Sequence, residues 1–161
     1  MESRAKLFGH PIHQALIVFP LGLLATALLF DLAQLVTGNG FWSEIAFWMI
    51  GAGVVSGLIA APFGFIDWLA IPSGTRAKRI GALHGAGNVV VVLLYGLSLL
   101  MRLGNPAAPE LPALALAFLG GGLALITGWM GGELVDRLAV GVDDGANVDA
   151  PSSLKVRRVR M

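Results

Sequence analysis

Four long apolar runs, at positions 15–36, 45–71, 80–101 and 111–140, constrain this chain more than any other feature. A helix needs about 20 apolar residues to cross the roughly 30 Å hydrocarbon core of a bilayer, and each run reaches that length. Only 13% of the residues are charged, about half the share found in soluble domains. The sequence therefore predicts an all-α integral membrane protein, an up-down four-helix bundle over residues 1–142. A polar and then basic tail at 143–161 is expected to be disordered.

The distribution of Lys and Arg predicts the orientation in the membrane. Ten of the eleven basic residues flank the runs on one side, and only Arg102 lies in a loop on the other. Because basic loops stay in the cytoplasm, both termini are expected there. The basic tail, Lys155–Arg160, is expected to contact anionic lipid rather than nucleic acid.

An internal repeat is suggested by the second and fourth runs. They align at an offset of 69, which matches Gly51 with Gly120 and Asp67 with Asp136, while His13 and His84 are 71 apart. This pattern indicates two tandem two-helix units, related by an axis normal to the membrane. The alternative is that Gly-rich apolar helices align by chance.

Six ionisable residues fall in one layer near the predicted cytoplasmic face: His10, His13, Asp67, His84, Glu133 and Asp136. In an up-down bundle the first and third helices are diagonal neighbours, so His13 is expected to face His84. Polar side chains in a membrane helix usually point into the bundle. Asp31, near the opposite face, has no evident partner and is interpreted as a polar group at a helix end.

One interpretation of this layer is a haem b site for electron transfer. Two imidazoles on facing helices suit the axial positions of the iron. A carboxylate of the layer would accept the second ring N–H of each ligand. Asn88, one turn after His84, would lie at the site, and Arg76, Lys78 and Arg79 would meet the propionates. The absence of cysteine excludes disulfides, thiolate metal sites and covalently attached haem.

Two other interpretations stay open. The three histidines with Asp67, Glu133 or Asp136 would suit a bare zinc or iron ion. Alternatively the layer is a polar lock, in which the polar side chains only hold the helices together, or a proton relay. The protein would then be a structural or transport bundle, which could dimerise through glycine-rich faces. No arrangement of nucleophile and base stands out, so the sequence does not predict an enzyme.

Several short motifs resemble the bacterial membrane family called domain of unknown function 2231. They are Gly9–His13, Phe19–Gly22, Gly64–Trp68, the pair His84 and Asn88, and Gly131–Val135. The resemblance covers residues 8–142 and implies a four-span protein of the bacterial inner membrane. Some members look fused to redox domains such as Rieske modules, which implies electron transfer and a redox partner. Relatives often carry a histidine after the fourth span, whereas residues 138–142 here contain none.

Overall fold

The apolar runs form the long helices of a computed structural model that describes residues 1–154. The elements, in chain order, are β1 (Lys6–Leu7), β2 (His10–Pro11), α1 (Ile12–Leu16), α2 (Val18–Thr37), α3 (Gly40–Ala70), α4 (Arg76–Arg102), α5 (Leu111–Gly132) and a π-helical turn (Glu133–Arg137). The four spans long and apolar enough to cross a membrane are Ile12–Thr37, Gly40–Ala70, Arg76–Arg102 and Leu111–Arg137. The predicted four-helix membrane bundle is therefore confirmed.

Local capping sets helix starts that differ from the sequence prediction. Helix α3 begins at Gly40 rather than at 45, because the Asn39 side chain accepts a hydrogen bond from the Phe41 N–H. Helix α4 begins at Arg76 rather than at 80, because the Thr75 hydroxyl accepts one from the Lys78 N–H. Gly38 ends α2 in the left-handed conformation, φ 68°, and so permits the tight turn into α3.

Small and polar residues fill much of the interior, together with a few larger apolar ones, while most large apolar residues cover the outside. Ala27, Ala46 and Ala117 are fully buried, whereas Trp48 is 73% exposed and Leu93 is 64% exposed. This distribution is expected when the surroundings are lipid, because close helix packing needs small side chains and lipid accepts large apolar ones. Helix α2 packs mainly against α3, and α4 packs mainly against α5.

Helices α2 and α4 start at the same end of the bundle, and α3 and α5 finish there. We call this the histidine end, since it carries His13 and His84. The antiparallel pair β1–β2 lies there, with Lys6 opposite Pro11 and Leu7 opposite His10. The basic tail at 155–161 lies outside the described residues.

The contacts between helices repeat along the chain. Leu24 packs on Gly53 and Tyr95 packs on Gly120, where an added Cβ would lie 2.6 Å from Leu24 Cδ2 and 3.0 Å from Tyr95 Cδ2. Equivalent positions in the first helices of the two units, such as Leu24 and Tyr95, are thus 71 residues apart in the sequence. Equivalent positions in the second helices, such as Gly53 and Gly120, are 67 residues apart. The two tandem units are present, but the offset of 69 placed α5 two residues out of register with α3.

Three pairs of equivalent residues touch each other. The ring of His13 lies beside that of His84, the Tyr95 hydroxyl donates to the Leu24 carbonyl at 3.2 Å, and Asp31 binds Arg102. A residue meets its own equivalent only close to the axis that relates the two units. The axis therefore runs along the bundle, with His13 and His84 at one end and Asp31 and Arg102 at the other. Eighteen residues separate the two pairs on each helix, about 27 Å at 1.5 Å per residue.

Candidate functional site

His13 lies in the first turn of the first span and reaches across to α3. Its Nδ1 is 3.0 Å from the carbonyl oxygen of Ala60. A carbonyl only accepts, so Nδ1 carries the hydrogen and the lone pair of the neutral ring is on Nε2. Gly64 makes this approach possible, because a Cβ there would lie 2.7 Å from His13 Cε1.

His84 repeats this arrangement in the second unit. Its Nδ1 is 2.8 Å from the carbonyl oxygen of Thr127 in α5, and a Cβ on Gly131 would lie 3.2 Å from its Cε1. Each histidine is thus fixed by a backbone carbonyl four residues before the glycine on which its ring packs. Both acceptors are backbone carbonyls, and not the carboxylates that the sequence suggested.

The two imidazoles face each other across the axis, as predicted. Their ring centroids are 6.5 Å apart and their planes are at 89°. If the two rings held one metal between them, their centres would be about 6 Å apart, because each binding nitrogen would lie about 2 Å from the metal and about 1 Å from its own ring centre. The observed separation matches that value.

Asn88 lies over the ring of His84. Its Nδ2 is 3.1 Å from Nε2 and 3.5 Å from Nδ1. A donor on the in-plane axis of Nε2 would be much farther from Nδ1, so the amide lies over the face of the ring and off that axis. The Thr127 hydroxyl donates to Asn88 Oδ1 at 3.0 Å and holds the amide in place.

Asp67 is used by the segment before the bundle rather than by a histidine. Its carboxylate accepts hydrogen bonds from the Ser3 hydroxyl at 2.7 and 2.8 Å, from the Arg4 N–H at 2.7 Å and from the Ala5 N–H at 3.2 Å. This carboxylate therefore fastens residues 3–5 to the end of α3. Sequence reasoning missed this role, because its partners are mostly backbone groups.

The other predicted metal ligands also have different surroundings. His10 is exposed on β2, with Nε2 3.3 Å from the Ser153 hydroxyl. Glu133 forms an ion pair with Arg76 at 2.7 Å. Asp136 is exposed. Within residues 1–154 no group of three or more His, Cys, Asp or Glu side chains could hold a metal ion. The structure brings together His13 and His84 and keeps the remaining members of the predicted layer apart.

The predicted propionate partners differ in availability. Arg76 is engaged by Glu133, whereas Lys78 donates to the Trp68 carbonyl at 2.7 Å and lies 4.0 Å from the centre of the Trp68 ring. Arg79 is exposed, and its side chain has no partner within residues 1–154. Of the three cations, Arg79 is therefore the most available to bind a propionate.

Two carboxylates outside the spans have perturbed acidities at the histidine end. The hydrogen bond from Lys6, with Nζ 2.6 Å from Oε2, lowers the pKa of Glu2. The backbone N–H of Gly145 lowers the pKa of Asp143. Both pKa values are lower in the folded protein than in the unfolded chain. The stability that these contacts contribute is therefore fully present above the unfolded pKa and is lost as the pH falls through the folded pKa.

Asp31 is a buried ion pair and not the polar helix end that the sequence suggested. Both its oxygens are 2.7 Å from the guanidinium of Arg102, and both residues are 0% exposed. The separation of 71 residues, the same as between His13 and His84, is the sequence signal that could have revealed this pair.

We expect Gly64→Ala to test the contact that positions His13. The new Cβ collides with the ring, and overpacking of this kind costs about 1–3 kcal/mol of stability. Gly128→Ala is the matched control, since nothing lies within 4 Å of its added Cβ and alanine favours a helix by up to about 1 kcal/mol. In thermal unfolding in detergent, Gly64→Ala should have a lower unfolding midpoint than the wild type, whereas Gly128→Ala should not. Equal shifts for both variants would contradict the contact.

The part of the chain that holds these contacts matches a known sequence family. The family described as "Predicted membrane protein (DUF2231)" matches residues 9–144. No curated protein and no solved structure matches the chain. Because the match includes both facing histidines, the glycines beneath them and all four spans, the chain belongs to this family of membrane proteins.

Proposed function

We propose that His13 and His84 would hold a haem b and that the protein transfers electrons at a membrane. The observation that carries this proposal is the facing pair, with ring centroids 6.5 Å apart and each Nδ1 held by a backbone carbonyl. Hydrogen bonding at Nδ1 fixes the tautomer whose Nε2 lone pair can bind a metal. When bound, haem supplies the one-electron change of its iron.

The donor set fits haem better than a bare ion. Structural and catalytic zinc sites take three or four protein ligands, whereas a porphyrin already provides four nitrogens and needs two axial ligands at most. Two imidazoles meet at the axis, and His10, Asp67 and Glu133 are engaged elsewhere. A bare zinc or iron site would require these residues to leave their present contacts.

Other side chains have defined roles in this proposal. Gly64 and Gly131 leave room for the imidazoles, and Asn88 stabilises the orientation of the His84 ring. Arg79, whose side chain is unpaired within residues 1–154, is the favoured partner of a propionate, and Arg76 would first have to leave Glu133.

The proposal also assigns an orientation and partners. The histidine end would lie on the cytoplasmic side of a bacterial inner membrane, an orientation that the bias of Lys and Arg supports. Electrons would then be exchanged with a redox protein on that side, because about 27 Å of apolar core separates the histidines from the opposite face. A homodimer would use lipid-facing glycines such as Gly122, where an added Cβ would meet nothing within 4 Å.

The deciding experiment is an absorption spectrum of the detergent-purified protein, recorded oxidised and after dithionite, with porphyrin and metal analysis of the same sample. The expected result is a Soret band that shifts on reduction, with about one haem per chain. A flat visible spectrum from cells supplied with haem would overturn the proposal. Zinc or iron without porphyrin would point to the bare-metal alternative, and no bound species to the polar lock.

A further inference from the structure

The ion pair of Asp31 and Arg102 is the most deeply buried charged group of residues 1–154, and the proposed function does not use it. The two residues make a two-pronged contact, Nη1 to Oδ1 and Nη2 to Oδ2, both 2.7 Å long. Arg102 Nε donates to the Ser98 hydroxyl at 3.2 Å, which in turn donates to the Ala113 carbonyl at 2.7 Å. The contact therefore ties both units together at the end opposite the histidines.

The position of this pair on the axis has a consequence for assembly. Positions 31 and 102 are equivalent in the two units, and at the axis each faces the other. If two first units paired, Asp31 would face a second Asp31, and two second units would bring Arg102 against Arg102. Two unpaired like charges buried inside the bundle are strongly unfavourable.

We propose that Asp31 and Arg102 make the interface between units selective, so that a first unit accepts only a second unit as its partner. The rest of the axis does not distinguish the units by charge, because His13 faces His84 and Leu24 faces Tyr95. The ion pair alone turns a nearly symmetric interface into one that rejects like units.

Selectivity is also the role that energetics favours for such a pair. Buried ion pairs can often be replaced by apolar residues of similar size without loss of stability. Replacing only one residue of the pair is strongly destabilising, because the other charge stays buried without a partner. A buried polar contact at a symmetric interface can instead fix which partners associate. The double variant Asp31→Leu/Arg102→Met is therefore expected to fold with an unfolding midpoint near that of the wild type.

The test detects pairing of like units by cross-linking. The chain has no cysteine, and Ala27, one helical turn before Asp31, is 0% exposed in the interior of the bundle. Cysteine at position 27 would meet its own copy only if two first units from different chains paired. In the Ala27→Cys protein with wild-type charges, we expect oxidation to give almost no disulfide-linked dimer. In the Asp31→Leu/Arg102→Met background, we expect several times more.

Equal cross-linking in the two backgrounds would overturn the proposal. A dimer through the lipid-facing surface does not interfere, because position 27 is buried and cannot reach its copy there. The charge swap Asp31→Arg/Arg102→Asp is the matched control, which keeps opposite charges and should cross-link as little as the wild type.

A second experiment decides the matter if the apolar variant does not fold. Asp31→Arg and Arg102→Asp, expressed singly, each bury two like charges, so the yield of folded protein should fall at least about tenfold. Expressed together with different tags, the two chains contain complementary units, and the folded yield should recover as mixed pairs. No recovery on co-expression would overturn the proposal.

Discussion

Replacing His84 with alanine is expected to remove haem from the purified protein while the bundle stays folded. Loss of a residue that only supports a metal ligand already lowers metal affinity about 10- to 100-fold, so loss of the ligand itself should lower it at least about a hundredfold. His13→Ala is expected to do the same, because the two imidazoles are related by the axis and make equivalent contacts. The measurement is the Soret absorbance per unit of protein.

His10→Ala is the matched control for these variants. His10 is exposed on β2, and within residues 1–154 its side chain hydrogen-bonds the Ser153 hydroxyl alone, so its loss should leave the Soret band unchanged. Imidazole added to the buffer should restore part of the band in His84→Ala, since it can occupy the space left by the side chain.

The same variants separate the proposal from the polar-lock alternative. Each histidine donates a hydrogen bond to a neighbouring helix, and loss of such a bond costs about 1 kcal/mol. If His13→Ala and His84→Ala lowered the unfolding midpoint while neither they nor the wild type carried a chromophore, the histidines would serve packing alone. Loss of the band by His10→Ala would also contradict the assignment of the axial ligands.

The sequence was sufficient to predict the bundle and the facing histidines. Hydropathy alone determines the four spans, because lipid leaves few structures in which a long apolar chain can satisfy its backbone. Alternation of direction then makes the first and third helices diagonal neighbours, which is enough to bring His13 opposite His84.

The partners of the polar side chains could not be predicted in the same way. The histidines bind the carbonyls of Ala60 and Thr127, and Asp67 binds the N–H groups of Arg4 and Ala5. Backbone groups are the same at every residue, so the sequence carries no signal for which one is used. The alignment at an offset of 69 failed for a related reason, since Gly-rich helices match at several offsets and only packing identifies the correct one.

Alanine at position 102 is expected to destabilise the folded protein by about 3–5 kcal/mol. The substitution leaves the carboxylate of Asp31 at 0% exposure without its counter-charge, and the nearby Ser98 hydroxyl already donates to the Ala113 carbonyl. Asp31 lies within a membrane span, where few water molecules are available to replace the guanidinium. The measurement is the unfolding midpoint in detergent, together with the yield of protein that elutes as a single species.

Arg79→Ala is the matched control, because it removes the same side chain from an exposed position of the same helix. Surface substitutions of this kind usually change stability by no more than about 0.5 kcal/mol. If the midpoint of Arg102→Ala stayed within the range of Arg79→Ala, the ion pair would not hold the two units together. Restoration by the added change Asp31→Leu, with position 102 still alanine, would show that the cost comes from the stranded carboxylate. A loss that persists in this double variant would assign the cost to the packing and hydrogen bonds of Arg102 itself.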